Sequence, residues 1–257
     1  MSRAPRRVAL LAVGLALVLV APASVSATHS WGGYHWARTS NPFTVKLGDN
    51  VTSAWDSSLT RTSSDWSQST VLDATIVPGS APRAKQCRAT AGTVQVCNAT
   101  YGNNGWLGVA SISITGGTHI TQATVKVNDT YFNTSTYNTP AWRNLVMCQE
   151  VGHAFGLDHQ DTNFTNANLG TCMDYTNDPS TNQDPNQHDY DELVTIYSHL
   201  DSTTTLASAT ASKNGNAGSP AAWGRLVAVT NGGHGATYLL DLGAGNLVVT
   251  HVLWADR

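Results

Sequence analysis

The stretch from Thr139 to His159 constrains this chain more than any other part of it. Thr139 suits an N-cap and Pro140 the first helical position, so a helix is expected over Ala141 to Phe155, stopped by Gly156. On that helix Gln149 and His153 are four apart and share a face, which lets both side chains reach one point in space. Glu150 falls one position round, beside that point rather than on it. Gly156 frees the chain to break from the helix axis, so that His159 swings back toward the same point. Lone-pair donors converging beside a free carboxylate are what a metal site with an adjacent general base requires. No CxxC spacing occurs, so zinc bound by thiolates is not expected.

The run Gln149-Glu150-Val151-Gly152-His153-Ala154-Phe155-Gly156-Leu157-Asp158-His159 resembles the metzincin zinc signature HExxHxxGxxH. Downstream, Cys172-Met173-Asp174-Tyr175 resembles the Met-turn that follows it. The likeness spans roughly residues 31 to 200 and is similar in layout to the matrixin-like catalytic domain, with an edge strand before the active-site helix. It implies a Zn2+ ion held at positions 149, 153 and 159, with Glu150 as general base, Met173 beneath the metal and Tyr175 assisting at it. Where the family has its first histidine this chain has Gln149, whose amide oxygen is a weaker zinc donor than imidazole. Two outcomes therefore stay open. In one, Gln149, His153 and His159 hold zinc and the chain is a secreted endopeptidase acting on protein or peptide substrates. In the other, the domain is a catalytically silent peptide- or protein-binding module. A replacement ligand from His119 or His35 is a further option, whereas His188, His199, His234 and His251 read as surface or packing residues.

Arg3, Arg6 and Arg7 precede an apolar run, Val8 to Val20, and a small-residue stretch ending Val25-Ser26-Ala27, which reads as a signal peptide over 1–27. The run is shorter than the roughly 20 residues a membrane span needs, so an extracellular chain with no span after cleavage is expected. Four cysteines in an oxidising compartment favour two disulfides, and their order suggests Cys87–Cys97 and Cys148–Cys172. In the family's geometry the second would clamp the Met-turn against the helix. A net charge of -3 with scattered basic residues excludes a nucleic-acid footprint. A monomer is expected.

The fold expected is α+β: a twisted mixed sheet, the active-site helix beneath it, a Met-turn and a C-terminal helix over about His188 to Leu200. Strands are expected at Phe43 to Leu47, Val71 to Val77, Thr93 to Cys97, Trp106 to Ile114 and His119 to Val127, with a helix between Val51 and Gln68. This domain would occupy 28–200, followed by a Ser/Thr/Ala/Gly-rich linker over 201–220 and a β-rich segment over 221–257. Its three short strands, expected at Leu226 to Val229, Tyr238 to Leu242 and Leu247 to Leu253, hold too few residues for a core of their own and should pack on the main domain or on another chain. The Asp- and Asn-rich stretch from Asp158 to Asp191 has the oxygen content of a calcium loop but no EF-hand spacing, so structural Ca2+ and a solvated loop both remain open. No masking pro-segment is visible, which leaves zinc loading after export, or the tail itself, as the expected limit on activity.

Overall fold

A computed structural model describes residues 1, 28–207 and 220–255; the expected signal peptide beyond Met1 and most of the expected linker lie outside the described residues. Among the described residues the chain is α+β, with one mixed sheet of nine strands and four α-helices. The strands are β1 (His35–Trp36), β2 (Phe43–Asn50), β3 (Leu72–Pro78), β4 (Thr93–Ala99), β5 (Trp106–Thr115), β6 (His119–Asn128), β7 (Arg225–Val229), β8 (Gly235–Gly243) and β9 (Asn246–Trp254). The helices are α1 (Asp56–Trp66), α2 (Asp129–Phe132), α3 (Pro140–Ala154) and α4 (Gln187–Ile196).

The sheet runs β3-β2-β4-β6-β5-β9-β8-β7. Strands β3, β2, β4 and β6 are parallel to their neighbours, and from β6 onward every pairing is antiparallel. Short β1 also pairs with β6, placing His35 opposite His119 at the beginning of that strand, while β4 pairs with the rest of it from Ala123 onward. Strands β4, β5 and β6 are buried on both faces, which explains their near-continuous apolar and β-branched composition.

The C-terminal strands join the same sheet. Strand β9 lies antiparallel along nearly the whole of β5, from Trp106 opposite Trp254 to Ile114 opposite Leu247. This corrects the expectation of an edge strand before the active-site helix: the outer backbone of β5 is already paired, and the sheet edges are β3 and β7. The free N–H and C=O groups of an edge strand are the natural partner for three strands too small to hold a core alone.

Helix α3 packs against α1, β5 and β6. It begins as its sequence dictates, with the Thr139 hydroxyl accepting from the Trp142 N–H and Pro140 in the first turn. Gly156, at φ +96°, ends it, and a Cβ there would lie 2.1 Å from the carbonyl oxygen of Tyr34, so only glycine fits. The carbonyl of the same glycine accepts from the Trp31 N–H at 2.7 Å, and the Asp158 N–H donates to His29 at 2.5 Å, so the N-terminal segment fastens the turn that carries His159. Disulfides join Cys87 to Cys97 and Cys148 to Cys172. Helix α4 stops at Ile196, short of the expected Leu200, and its N-terminus carries a reciprocal Asn186–Asp189 capping box.

Candidate metal centre

Three histidines meet beneath β5. His153 comes from α3, His159 from the turn after Gly156, and His251 from the middle of β9; one nitrogen of each lies within 4.8 Å of the others. Their ring centroids are 4.2 Å (His153 to His251), 4.6 Å (His153 to His159) and 4.7 Å (His159 to His251) apart.

The tautomers follow from the hydrogen bonds on the other nitrogens. His153 Nδ1 lies 2.9 Å from the Leu157 carbonyl oxygen, which can only accept, so Nδ1 carries the proton and Nε2 keeps its lone pair. His159 Nδ1 likewise faces the Asp158 carboxylate at 3.2 Å. His251 Nε2 is 2.8 Å from the Tyr175 hydroxyl. The three remaining nitrogens, Nε2 of His153, Nε2 of His159 and Nδ1 of His251, are buried and without a hydrogen-bond partner. Outer nitrogens fixed by carbonyl, carboxylate or hydroxyl, with inner ones bare and convergent, is the arrangement by which proteins orient imidazoles toward a cation.

Glu150 adds two more buried oxygens with no hydrogen bond of full geometry, only a weak backbone contact from Ala110, and its Oε2 lies 3.7 Å from His251 Nδ1. Its carboxyl sits over Gly108 of β5, where a Cβ would come within 2.4 Å of Oε1. Gln149 turns its amide nitrogen away to donate to the Cys172 carbonyl at 2.9 Å, leaving Oε1 buried and unpartnered. Burying such groups without compensation is costly, and a divalent cation held by the three convergent imidazoles would remove much of that cost. The donor set, three imidazoles with a carboxylate nearby, fits a borderline-soft ion such as Zn2+ better than a hard one.

Burial drives the electrostatics. It holds the pKa of His153 and His159 well below the ordinary histidine value and that of His251 down at about 4, so all three are neutral near pH 7, as metal ligation demands. The same desolvation pushes Glu150 up to about 8 in the absence of a cation, and Tyr175 well above its usual value. The Tyr175 ring stacks on His159 at 4.1 Å, and its hydroxyl fits only because Gly235 of β8 has no side chain; a Cβ there would lie 1.8 Å from the oxygen.

Met173 packs beneath α3 against Gly152, where a Cβ would come within 2.6 Å of its sulfur. The Cys148–Cys172 bond holds the residue before Met173 to the residue before Gln149. Next to Tyr175 lies a small cavity of about 10 Å³, lined by Leu107, Leu145, Trp142, Phe164, Leu253 and Trp254 and reached by Gln149 and Asp174.

His251 was not legible as a site residue; the sequence had placed it among packing and surface histidines. The available signal was a histidine set inside the apolar run Val248 to Leu253, where a polar ring must find a partner, in a chain whose metal motif lacks one imidazole. His35 and His119 do not join this site but gather elsewhere with Asp201. In the Asp- and Asn-rich loop, Asp189 accepts from Gln160 and the Asn186 N–H, and Asp174 Oδ2 accepts from the Leu169 N–H and Asn182. No helix among the described residues is long and apolar enough to cross a membrane. Compared with known protein families and with curated proteins, the chain matches none.

Proposed function

We propose that this chain is an exported, zinc-dependent endopeptidase of the metzincin kind in which His251 supplies the imidazole that Gln149 lacks. One observation carries the reading: three imidazoles with occupied outer and bare inner nitrogens converge in a buried space beside a buried carboxylate. The order Glu150, His153, Gly156, His159 and the seat of Met173 under Gly152 support the metzincin kind. Export rests on the basic and apolar opening segment and on the two disulfides.

His153, His159 and His251 would hold the ion. A zinc ion there would act as a Lewis acid toward a scissile carbonyl and make water acidic enough to lose a proton near neutral pH. Glu150, fixed over Gly108 and outside the three-imidazole group, would take that proton and return it to the leaving amine. With His251 Nδ1 bare, its Nε2–H donates to the Tyr175 oxygen, so the phenolic proton stays available to an oxyanion.

Replacing Glu150 by Gln should lower hydrolysis of a casein-type substrate by about 10²- to 10⁴-fold while zinc content stays at the native level. Unchanged turnover would sink the catalytic assignment.

One observation favours a second reading. Strand β9 takes the whole outer edge of β5 and leaves all three histidines at 8% exposure or less, so an extended peptide cannot add to β5 while β9 is in place. On that reading the metal is structural and the domain is a silent binding module. Zinc retained stoichiometrically by a chain that cleaves nothing, native or Glu150→Gln, would select it.

A further inference from the structure

We propose a second zinc site, separate from the first, formed by His35, His119, His199 and Asp201. Its donors come from three places that the fold brings together. His35 on β1 and His119 on β6 face each other across a parallel pair, and His199 and Asp201 lie on the segment leaving α4.

The carboxylate is divided between two tasks. Asp201 Oδ2 accepts from the Arg38 backbone N–H at 3.1 Å and from its guanidinium at 2.9 Å. The Arg38 guanidinium also bonds the His199 carbonyl oxygen and lies 4.8 Å from the centre of the Tyr197 ring, so the segment carrying both donors is clamped. This leaves Oδ1 facing three imidazoles: the Nε2 atoms of His119, His35 and His199 lie 3.2, 3.7 and 3.7 Å from it. The Nε2 atoms of His35 and His199 are 3.1 Å apart. His35 donates through Nδ1 to the Gly33 carbonyl at 2.9 Å, which fixes its tautomer and leaves Nε2 as a lone pair directed into the cluster.

These spacings match those of one small ion. Zinc–nitrogen and zinc–oxygen bonds of about 2.0–2.1 Å in a tetrahedron put neighbouring donor atoms about 3.4 Å apart. Four of the six donor–donor distances run from 3.1 to 3.7 Å, and one atom each of His35, His119 and Asp201 lies within 4.8 Å of the others; His199, on the exposed side, stands farther from His119 and would close on the ion as it binds. Three nitrogens and one oxygen suit zinc and are too few and too nitrogen-rich for calcium. With four protein donors the site has no open position, so its role is to staple β1, β6 and the end of α4 together rather than to catalyse. The His199 side chain is half exposed, which gives the ion a route in from solvent.

The test is metal counting on the full chain. Stripped protein is reloaded with Zn2+, dialysed against a competing chelator and analysed for zinc, in the native form and as His119→Ala/His199→Ala. Both replaced side chains are partly exposed, so the variant should fold, as its circular dichroism would report. The native chain should hold one equivalent more than the variant, whatever its total, so the result is independent of the first site. Co2+ loading of His153→Ala/His159→Ala should still give the intense visible bands of a tetrahedral ion, and a further His199→Ala should weaken Co2+ binding at least about tenfold. Equal zinc content in the native chain and the first variant, or no Co2+ bands when only the first site is removed, would overturn the proposal.

Discussion

The carboxyl group of Glu150 rests on Gly108, and a single methyl group at that strand position would come within 2.4 Å of Oε1 and 2.8 Å of the Val146 side chain. The proposed base is thus positioned by an absence on β5 as much as by α3. Gly108→Ala should displace the Glu150 carboxyl without changing any ionisable group. Expected are a loss of about 100-fold in hydrolysis, as for misplacement of a reacting group by about 1 Å, and a stability cost of about 1–3 kcal/mol from overpacking. Steady-state rates alongside denaturant unfolding would separate the two; full activity in the variant would mean that the Glu150 position is not critical.

His251 and Gln149 form a compensating pair if the proposed donor set is right. His251→Ala should weaken zinc binding by at least about 10- to 100-fold, measured by competition with a chromophoric chelator. Adding Gln149→His to that variant should restore much of the loss, because position 149 lies one helical turn before His153 on the same face. If Gln149→Ala weakens binding more than His251→Ala does, the amide oxygen rather than the strand histidine is the third donor.

Ending the chain at residue 207 removes β7, β8 and β9 together with His251 and bares the β5 edge. The truncated protein should lose the first zinc and gain self-association, since an unpaired strand edge recruits others. Size-exclusion chromatography with light scattering and zinc analysis would follow both. A truncated chain that cleaves peptides faster than the full one would instead make β9 a cover and His251 dispensable.

The Cys148–Cys172 bond closes a loop 24 residues long in sequence and ties the segment bearing Met173 to α3. Replacing both cysteines by alanine should cost about 3 kcal/mol by the loop-entropy relation, lowering the midpoint of thermal unfolding. Zinc affinity should fall with it, because the same link seats Met173 under Gly152 of the helix that carries His153. An unchanged melting midpoint would show that the link adds nothing to the folded state.

What sequence could and could not reveal divides along one physical line. Helix α3 was legible because its signals are local: a hydroxyl cap, a proline in the first turn and a glycine stop. Strands β2 to β6 were legible from β-branched alternation between glycine turns, and β7 to β9 likewise within a residue or three at each end. Alternation tells which face a residue takes, but not which strand lies alongside. The pairing of β9 with β5 is a long-range choice, so the arrival of His251 opposite Ala110 could not be read from spacing. The same holds for His35, His119, His199 and Asp201, which are remote in sequence and meet only through the β1–β6 pairing and the end of α4. The early end of α4 also had a tertiary cause: Tyr197 turns its hydroxyl to donate to the Phe155 carbonyl and accept from the Trp36 N–H, drawing the chain off the helix axis.

His251 lies 76 residues beyond Tyr175, the last of the other site residues in chain order. A nascent polypeptide emerging from a ribosome or threading through an export channel would therefore carry an incomplete centre until β9 had been delivered and docked. On the function proposed above, the timing of assembly would itself restrain premature cleavage inside the producing cell.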